Sequence, residues 1–251
     1  MFRFLRRQNY RDAGVAAPVP PAMGAVYLRG PTGVTDQSGN GYDGTYTGTM
    51  GVTADTDSGG TTAFLVSATG DYIDNIGTTA DLLMVQNTMV FTIAIWVKMP
   101  DATARQAPCG NTLSSPKGWL FGFENGAGAG DQTLRLLVTN GVATPVINCW
   151  AVDGLITDTN WHHWAVRGNS AASDVDFFLD GVKSTTTYGQ TFTSLATGNS
   201  ARALNAGRAN WTSTAIPLGN GGRFDAFGMW ATALTDAEIL ALASSRNILT
   251  A

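Results

Sequence analysis

The sequence predicts a single all-β domain, an antiparallel β-sandwich, and three observations predict it. Val90–Lys98 (VFTIAIWVK) alternates, so that Phe91, Ile93, Ile95 and Val97 share one face, and β-branched residues suit a pleated surface. Thr159–Val182 contains two short strands, Trp161–Arg167 and Val175–Asp180, and ends in the tight turn Asp180-Gly181. Asp-Gly accepts the positive φ angles that a two-residue hairpin turn needs. Charged residues are only 14% of the chain while glycine reaches 30 residues, the balance that many short strands and tight turns produce. At 251 residues one sandwich can bury a large core without metals or disulfides.

The elements follow in order. Residues 1–24 read as a basic arm and spacer, and residues 25–251 as the sandwich with a C-terminal helix. Met1–Arg11 is too short to hold a helix alone. It is read as a docking arm in which Phe2 and Leu5 stand apart from Arg3, Arg6, Arg7 and Arg11, the arginines pairing with acidic groups of a partner. Ala16–Ala22 (AAPVPPA) is a stiff, extended spacer. The arm begins like a signal peptide, but Arg11, Asp12 and the prolines interrupt any apolar run, so it is expected in the mature protein. Ala25–Arg29 opens the sandwich. Thr61–Asp74 holds two strand segments, Thr79–Gln86 a short helical turn, and Pro100–Gly118 a long polar loop. Trp119–Glu124, Thr133–Asn140 and Pro145–Val152 are three further strands. Tyr188–Leu195 and Ala201–Arg208 continue the sheet, Asn210–Gly222 is a loop, and Arg223–Trp230 is the closing strand. Thr235-Asp236-Ala237-Glu238 is a capping box that starts a helix reaching about Ser244. Trp96 lies opposite the apolar face of its strand, which implies a covering layer or a binding surface.

Three motifs carry a family resemblance. The central hairpin, with Trp161-x-His163-x-Ala165, an alternating strand and Asp180-Gly181, resembles that of the LamG-like jelly rolls of the concanavalin A-like lectin/glucanase superfamily. Asp36–Thr45 (DQSGNGYDGT) resembles the opening turn of that family, and Gly222–Ile239 its closing strand and short helix. The matches occur in family order over about residues 25–243. The resemblance implies a jelly roll. It does not choose a function, because the fold carries lectins, adhesion modules, hydrolases and virion proteins.

Several chemistries can be weighed on the residues. His162 and His163 are the only histidines, and adjacent strand residues point to opposite faces, so they cannot grip one ion. His163 shares a face with Trp161 and Ala165 and is expected in the core. Asp36-Gln37-Ser38-Gly39-Asn40-Gly41 resembles half of a calcium loop, but the twelfth position is Thr47 rather than the bidentate Glu of an EF-hand. An Asx-stabilised turn and a calcium ligand remain alternative readings of Asp36. The resemblance adds Asp225 as a second candidate for a structural Ca2+. Family glucanases carry Glu-x-Asp-x-x-Glu, whereas this chain has two distant glutamates, Glu124 and Glu238. Glycoside hydrolysis needs paired carboxylates, and Asp174 with Asp176 reads as a solvated outer face, so no enzymatic activity is expected. Saccharides stack on aromatic rings and bond to Asn, Asp and Arg. The candidates for that role are Trp211 with Asn210 and Arg208, Trp119 with Lys117, and Trp150 with Asn148.

Charge narrows the partners. Residues 25–251 have eleven basic and eighteen acidic residues, which argues against nucleic acid. No run is long and apolar enough to span a membrane. Cys109 and Cys149 leave a bridge open, which sequence does not decide. The favoured reading is a non-enzymatic structural or adhesion protein, a virion decoration or fibre component. Its arm would anchor it, oligomeric in the assembly, to a capsid or tail protein. The alternative is a free, secreted or cell-surface, calcium-dependent lectin for surface glycans. A glycosidase stands third.

Overall fold

A computed structural model of the protein describes residues 19–112, 117–126, 131–141, 145–169, 175–192, 194–211, 214–247 and 249. The docking-arm residues Phe2, Arg3, Leu5, Arg6, Arg7 and Arg11, and also Asp174, lie outside them. Among the described residues the chain forms two antiparallel sheets, a separate hairpin and two short helices.

The first sheet contains β1 (Val26–Leu28), β3 (Gly51–Ala54), β4 (Thr62–Leu65), β6 (Val90–Lys98), β11 (Trp161–Asn169), β12 (Val175–Leu179), β13 (Val182–Lys183) and β18 (Arg223–Trp230). Its order is β13-β12-β11-β6-β18-β4-β3, and β1 also pairs with β18. The second sheet contains β2 (Thr45–Thr47), β5 (Tyr72–Ile76), β7 (Gln106–Gly110), β8 (Gly118–Glu124), β9 (Thr133–Thr139), β10 (Ile147–Ala151), β14 (Thr186–Phe192) and β15 (Leu204–Ala206). Its order is β14-β10-β9-β8-β7-β15-β5-β2. The hairpin is β16 (Arg208–Trp211) with β17 (Thr214–Pro217), and the helices are α1 (Met84–Asn87) and α2 (Asp236–Leu242).

The expected strand Val90–Lys98 is β6, at the middle of the first sheet. The expected hairpin is β11 with β12, and Ala165 stands opposite both Phe178 and Ala94. Asp180 and Gly181 take φ of +52° and +78°, the left-handed turn for which Asp-Gly is suited. The Asp180 carboxylate also accepts from the His163 amide (2.8 Å), which ties the turn back to β11.

Alternation sends every second residue between the sheets. Phe91, Ile93 and Ile95 face Trp119, Phe121, Phe123, Leu134 and Leu136 there, with Trp164 and Phe177. The opposite face of the first sheet is buried too. Trp96, Trp161, Phe178 and Trp230 pack under Leu234, Ile239, Leu242 and Leu249 of the C-terminal segment. Trp96 Nε1 donates to Leu242 O (3.3 Å), so the covering layer expected from Trp96 is α2. The Thr235–Glu238 capping box starts that helix as expected.

His163 is buried in this outer layer against Trp96, and burial pushes its pKa down to about 4. The expected solvated face at Asp176 is not found. Asp176 is buried and bonded by Arg167 (2.6 Å) and Lys183 (2.6 Å). Against the upward push of burial, those cations hold its pKa below the usual range. Cys109 and Cys149 are buried free thiols.

Two expected loops are corrected. Pro100–Gly118 contains the fully buried strand β7. Asn210–Gly222 contains β17, so the segment folds back as a hairpin over the second sheet. Ala209 and Ile216 of that hairpin cover Ala107, Leu120 and Leu137. Polar residues at both strand ends hide these short apolar runs from a periodicity argument. The end of the proline spacer docks on the sandwich, with Trp230 Nε1 donating to Ala22 O (2.8 Å).

Candidate functional site

The outer face of the first sheet is closed by α2 and the C-terminal segment. Among the described residues, the β16–β17 hairpin covers the middle of the outer face of the second sheet. Two polar areas remain, one on each side of that hairpin.

On one side, β5, β15 and the chain around them form an open depression of about 540 Å³, with Tyr72, Asp74, Thr78, Thr79 and Arg202 on its walls. Tyr72 and Asp74 share a face because they are two apart on β5, while Ile73 points into the core. Asp74 is fixed from three directions. It accepts from the Tyr72 hydroxyl (3.4 Å), from the Asn75 amide (2.9 Å) and from the buried Asn205 amide group (2.6 Å). The Arg208 guanidinium lies 4.1 Å from the centre of the Tyr72 ring, a cation–π contact, and its Nε has no protein partner. An aromatic ring, a fixed carboxylate, two threonines and Arg202 therefore meet at one concave surface, with Arg208 behind the ring.

On the other side, β8, β9 and β10 direct Glu124, Arg135, Asn148 and Trp150 outwards. Glu124 Oε2 accepts from Arg135 Nη1 (2.5 Å), and Glu124 Oε1 accepts from Arg105 Nε (2.6 Å). Arg135 Nε donates to Asn148 Oδ1 (3.0 Å), and its guanidinium stands 5.0 Å from the Trp150 ring centre. Burial lowers the Arg135 pKa, and Glu124 opposes that shift.

The sequence-based candidates divide accordingly. Arg208, the first residue of β16, turns towards the first area, and Trp150 lies in the second. Trp119 is fully buried in the core and cannot touch a ligand; its place at the start of β8 turns it inwards with Phe121 and Phe123. Lys117 donates to Thr197 O (2.6 Å). Asn210 and Trp211 belong to β16, and their side chains lie outside the described residues. Sequence reasoning missed Tyr72, Asp74 and Arg202, and the Arg105–Glu124–Arg135 cluster. The alternation of β8 and β9 marks Glu124 and Arg135 as outward, but only the strand register brings them together.

The calcium candidates do not fit a cation. Asp36 Oδ1 accepts from the Tyr27 and Ser38 amides (2.9 Å each), and Oδ2 from Ser38 Oγ (2.6 Å) and the Tyr42 amide (3.1 Å). It is an Asx-stabilised turn. Asp225 Oδ1 accepts from the Gly30 and Ala226 amides (2.8 Å each), and Oδ2 faces Arg246 Nε at 3.2 Å. Backbone and side-chain donors engage Asp36 through both oxygens and Asp225 through Oδ1, and the Arg246 charge faces Asp225 Oδ2. Among the described residues no group of three or more His, Cys, Asp or Glu side chains could hold an ion.

The carboxylates that a hydrolase would need are bound in the same way. Glu124 lies between two arginines, Glu238 closes the helix cap and Asp176 is ion-paired. In architecture this is an all-β sandwich of two antiparallel sheets. Residues 67–240 match the Laminin_G_3 family, and the chain belongs to the concanavalin A-like lectin/glucanases superfamily.

Solved structures share the fold at low identity. Domain 4 of AbnA, a GH43 extracellular arabinanase from Geobacillus stearothermophilus, in complex with arabinotriose, is 19% identical with a TM-score of 0.58, covering 88% of this chain and 98% of that one. The Ruminococcus gnavus IT-sialidase CBM40 is 13% identical with a TM-score of 0.52, covering 72% and 96%. The binding domain of Paraclostridial Mosquitocidal Protein 1 is 14% identical with a TM-score of 0.60; the match covers 87% of this chain and 51% of that one. No curated protein sequence matches the chain significantly.

Proposed function

We propose that the protein is a non-catalytic saccharide-binding module whose ligand sits in the depression beside the β16–β17 hairpin. The observation that carries this is the convergence there of the Tyr72 ring, the fixed Asp74 carboxylate and Arg202, with Arg208 stacked on Tyr72. Tyr72 is buried and capped by Arg208, so it forms the floor, while sugar hydroxyls would reach the Asp74 carboxylate and the Arg202 guanidinium; few precisely placed polar groups suffice. The fold likeness to a domain described with arabinotriose and to a CBM40 supports the class of ligand, and the former's description as extracellular supports a secreted or cell-surface setting.

Calcium is not part of this proposal, because Asp36 and Asp225 are bonded to donors. The virion reading draws on arm residues outside the described part, and no observation favours it over a saccharide-binding role. The test is a glycan array, followed by calorimetry on the best binder. Arg202→Ala should weaken that binder about tenfold, the equivalent of about 1.4 kcal/mol. An array with no retained glycan, or an Arg202→Ala variant with unchanged affinity, refutes the assignment.

A further inference from the structure

We infer that the cluster on the far side of the hairpin is a second saccharide site, selective for sugars that carry a carboxylate. Its residues are Arg105, Glu124, Arg135 and Trp150. It rests on the saccharide-binding reading above but shares no residue with the first site.

The argument begins with Arg105. Its side chain is 42% exposed, against 7% for Glu124 and 9% for Arg135. Glu124 Oε1 engages Nε and Nη2 of Arg105 together, which uses one edge of the planar guanidinium. Among the described residues the outer edge, with Nη1, has no hydrogen-bond partner. Arg135 already neutralises Glu124 from below, so the cluster keeps one net positive charge in a body that is acidic overall. Glu124 acts as the positioning residue: it holds the exposed Arg105 fork in one orientation. A fork held that way can accept a carboxylate bidentately, and such paired charge-assisted bonds are stronger and more selective than neutral ones.

Trp150 supplies the second half. Its ring is partly exposed and lies against the Arg135 guanidinium. Its Nε1 is shielded from solvent and donates to nothing. Trp119 and Trp164 in the core share that condition, so what Trp150 offers a sugar is its partly exposed ring, not its N–H. From β10 to the start of β7 the row crosses three strand spacings, about 14 Å. That is wider than one sugar ring and fits an oligosaccharide of two or three units, one stacked near Trp150 and another presenting its carboxylate to Arg105. A simple anion would use Arg105 alone and gain nothing from the ring.

The probes are trigalacturonate and the neutral galactotriose of the same length. They are titrated by calorimetry into the full chain and into Arg105→Ala and Arg105→Lys variants whose melting curves establish folding. Wild type should prefer trigalacturonate at least tenfold. Arg105→Ala should lose that preference. Arg105→Lys, which keeps the charge but not the fork, should retain only part of it, and added salt should weaken the acidic ligand alone. Equal affinity for the two sugars, or an unchanged preference in Arg105→Ala, overturns this inference and leaves the first site standing. Failure of wild type to bind any saccharide overturns both.

Discussion

Replacing Arg246 by alanine should unfold the protein much more easily, although the residue lies near the C-terminus. Arg246 is fully buried. It pairs with Asp55 Oδ1 at 3.0 Å and faces Asp225 Oδ2 at 3.2 Å. Its Nη2 donates to Asp55 O (2.7 Å) and Thr62 O (2.9 Å), and its guanidinium lies 4.2 Å from the Trp161 ring centre. Without it, Asp55 keeps Arg223 at 2.6 Å, but Asp225 Oδ2 faces nothing. Breaking a buried pair by removing one partner costs about 3–5 kcal/mol, because the other charge stays buried. For a domain of this size that is a fall in Tm of about 6–20 °C.

Calorimetry and urea melts would measure the loss. Asp225→Asn in the Arg246→Ala background should return part of it, since the stranded charge is then gone. Acid should narrow the gap in the same sense. Burial raises the Asp225 pKa, with the Gly30 amide and Arg246 opposing. A carboxyl whose folded pKa is raised contributes stability below its unfolded value and loses it as pH climbs through the folded one. Removing Arg246 removes part of the opposition, so the variant should recover relative to wild type as pH falls. A loss under about 1 kcal/mol, or no rescue by Asp225→Asn, would refute the view of Arg246 as the clamp of the C-terminal segment.

Two other outcomes follow from buried titratable groups. His162 bridges Asp180 (2.8 Å) and Asp158 (3.0 Å). Burial pulls its pKa down, but the two carboxylates raise it above 6.5 on balance. Its stabilisation is therefore complete below 6.5 and lost as pH rises through the raised value. His162→Asn should cost Tm at about pH 5.5 and little at about pH 9; a pH-independent cost would contradict the ion pairing. Burial pushes Cys109 upward and Cys149 up to about 12, so neither thiol should react with a maleimide at neutral pH until denaturant is added. Labelling of the native protein would show that the core opens.

Much of the fold was legible because its signals are local. Val90–Lys98 alternates, Asp180-Gly181 turns and Thr235–Glu238 caps, and each does so from chemistry within a few residues. The covering layers were less legible. Trp96 announces one by its position, but Ala209 and Ile216 are two apolar residues in a polar segment, and only their seat over Leu120 and Leu137 makes them a cover. The sites depend most on register. Arg208 and Trp150 can be picked out one at a time as exposed cations or rings. Tyr72 reaches Arg208 only after β5 and β15, distant in sequence, have paired, and Arg135 meets Glu124 only through the register of the neighbouring strands β8 and β9. Trp119 shows the converse: by residue type it resembles a ligand platform, and the phase of β8 makes it core.

The docking of the proline spacer gives the molecule a direction. Met23 packs with the layer over the first sheet, and Ala22 is held by Trp230, whereas both polar areas lie on the far side of the second sheet. The sandwich is therefore two-sided: Ala22 and Met23 dock on the layer over the first sheet, and a ligand held in either polar area, as proposed, would sit a full sandwich thickness away from them.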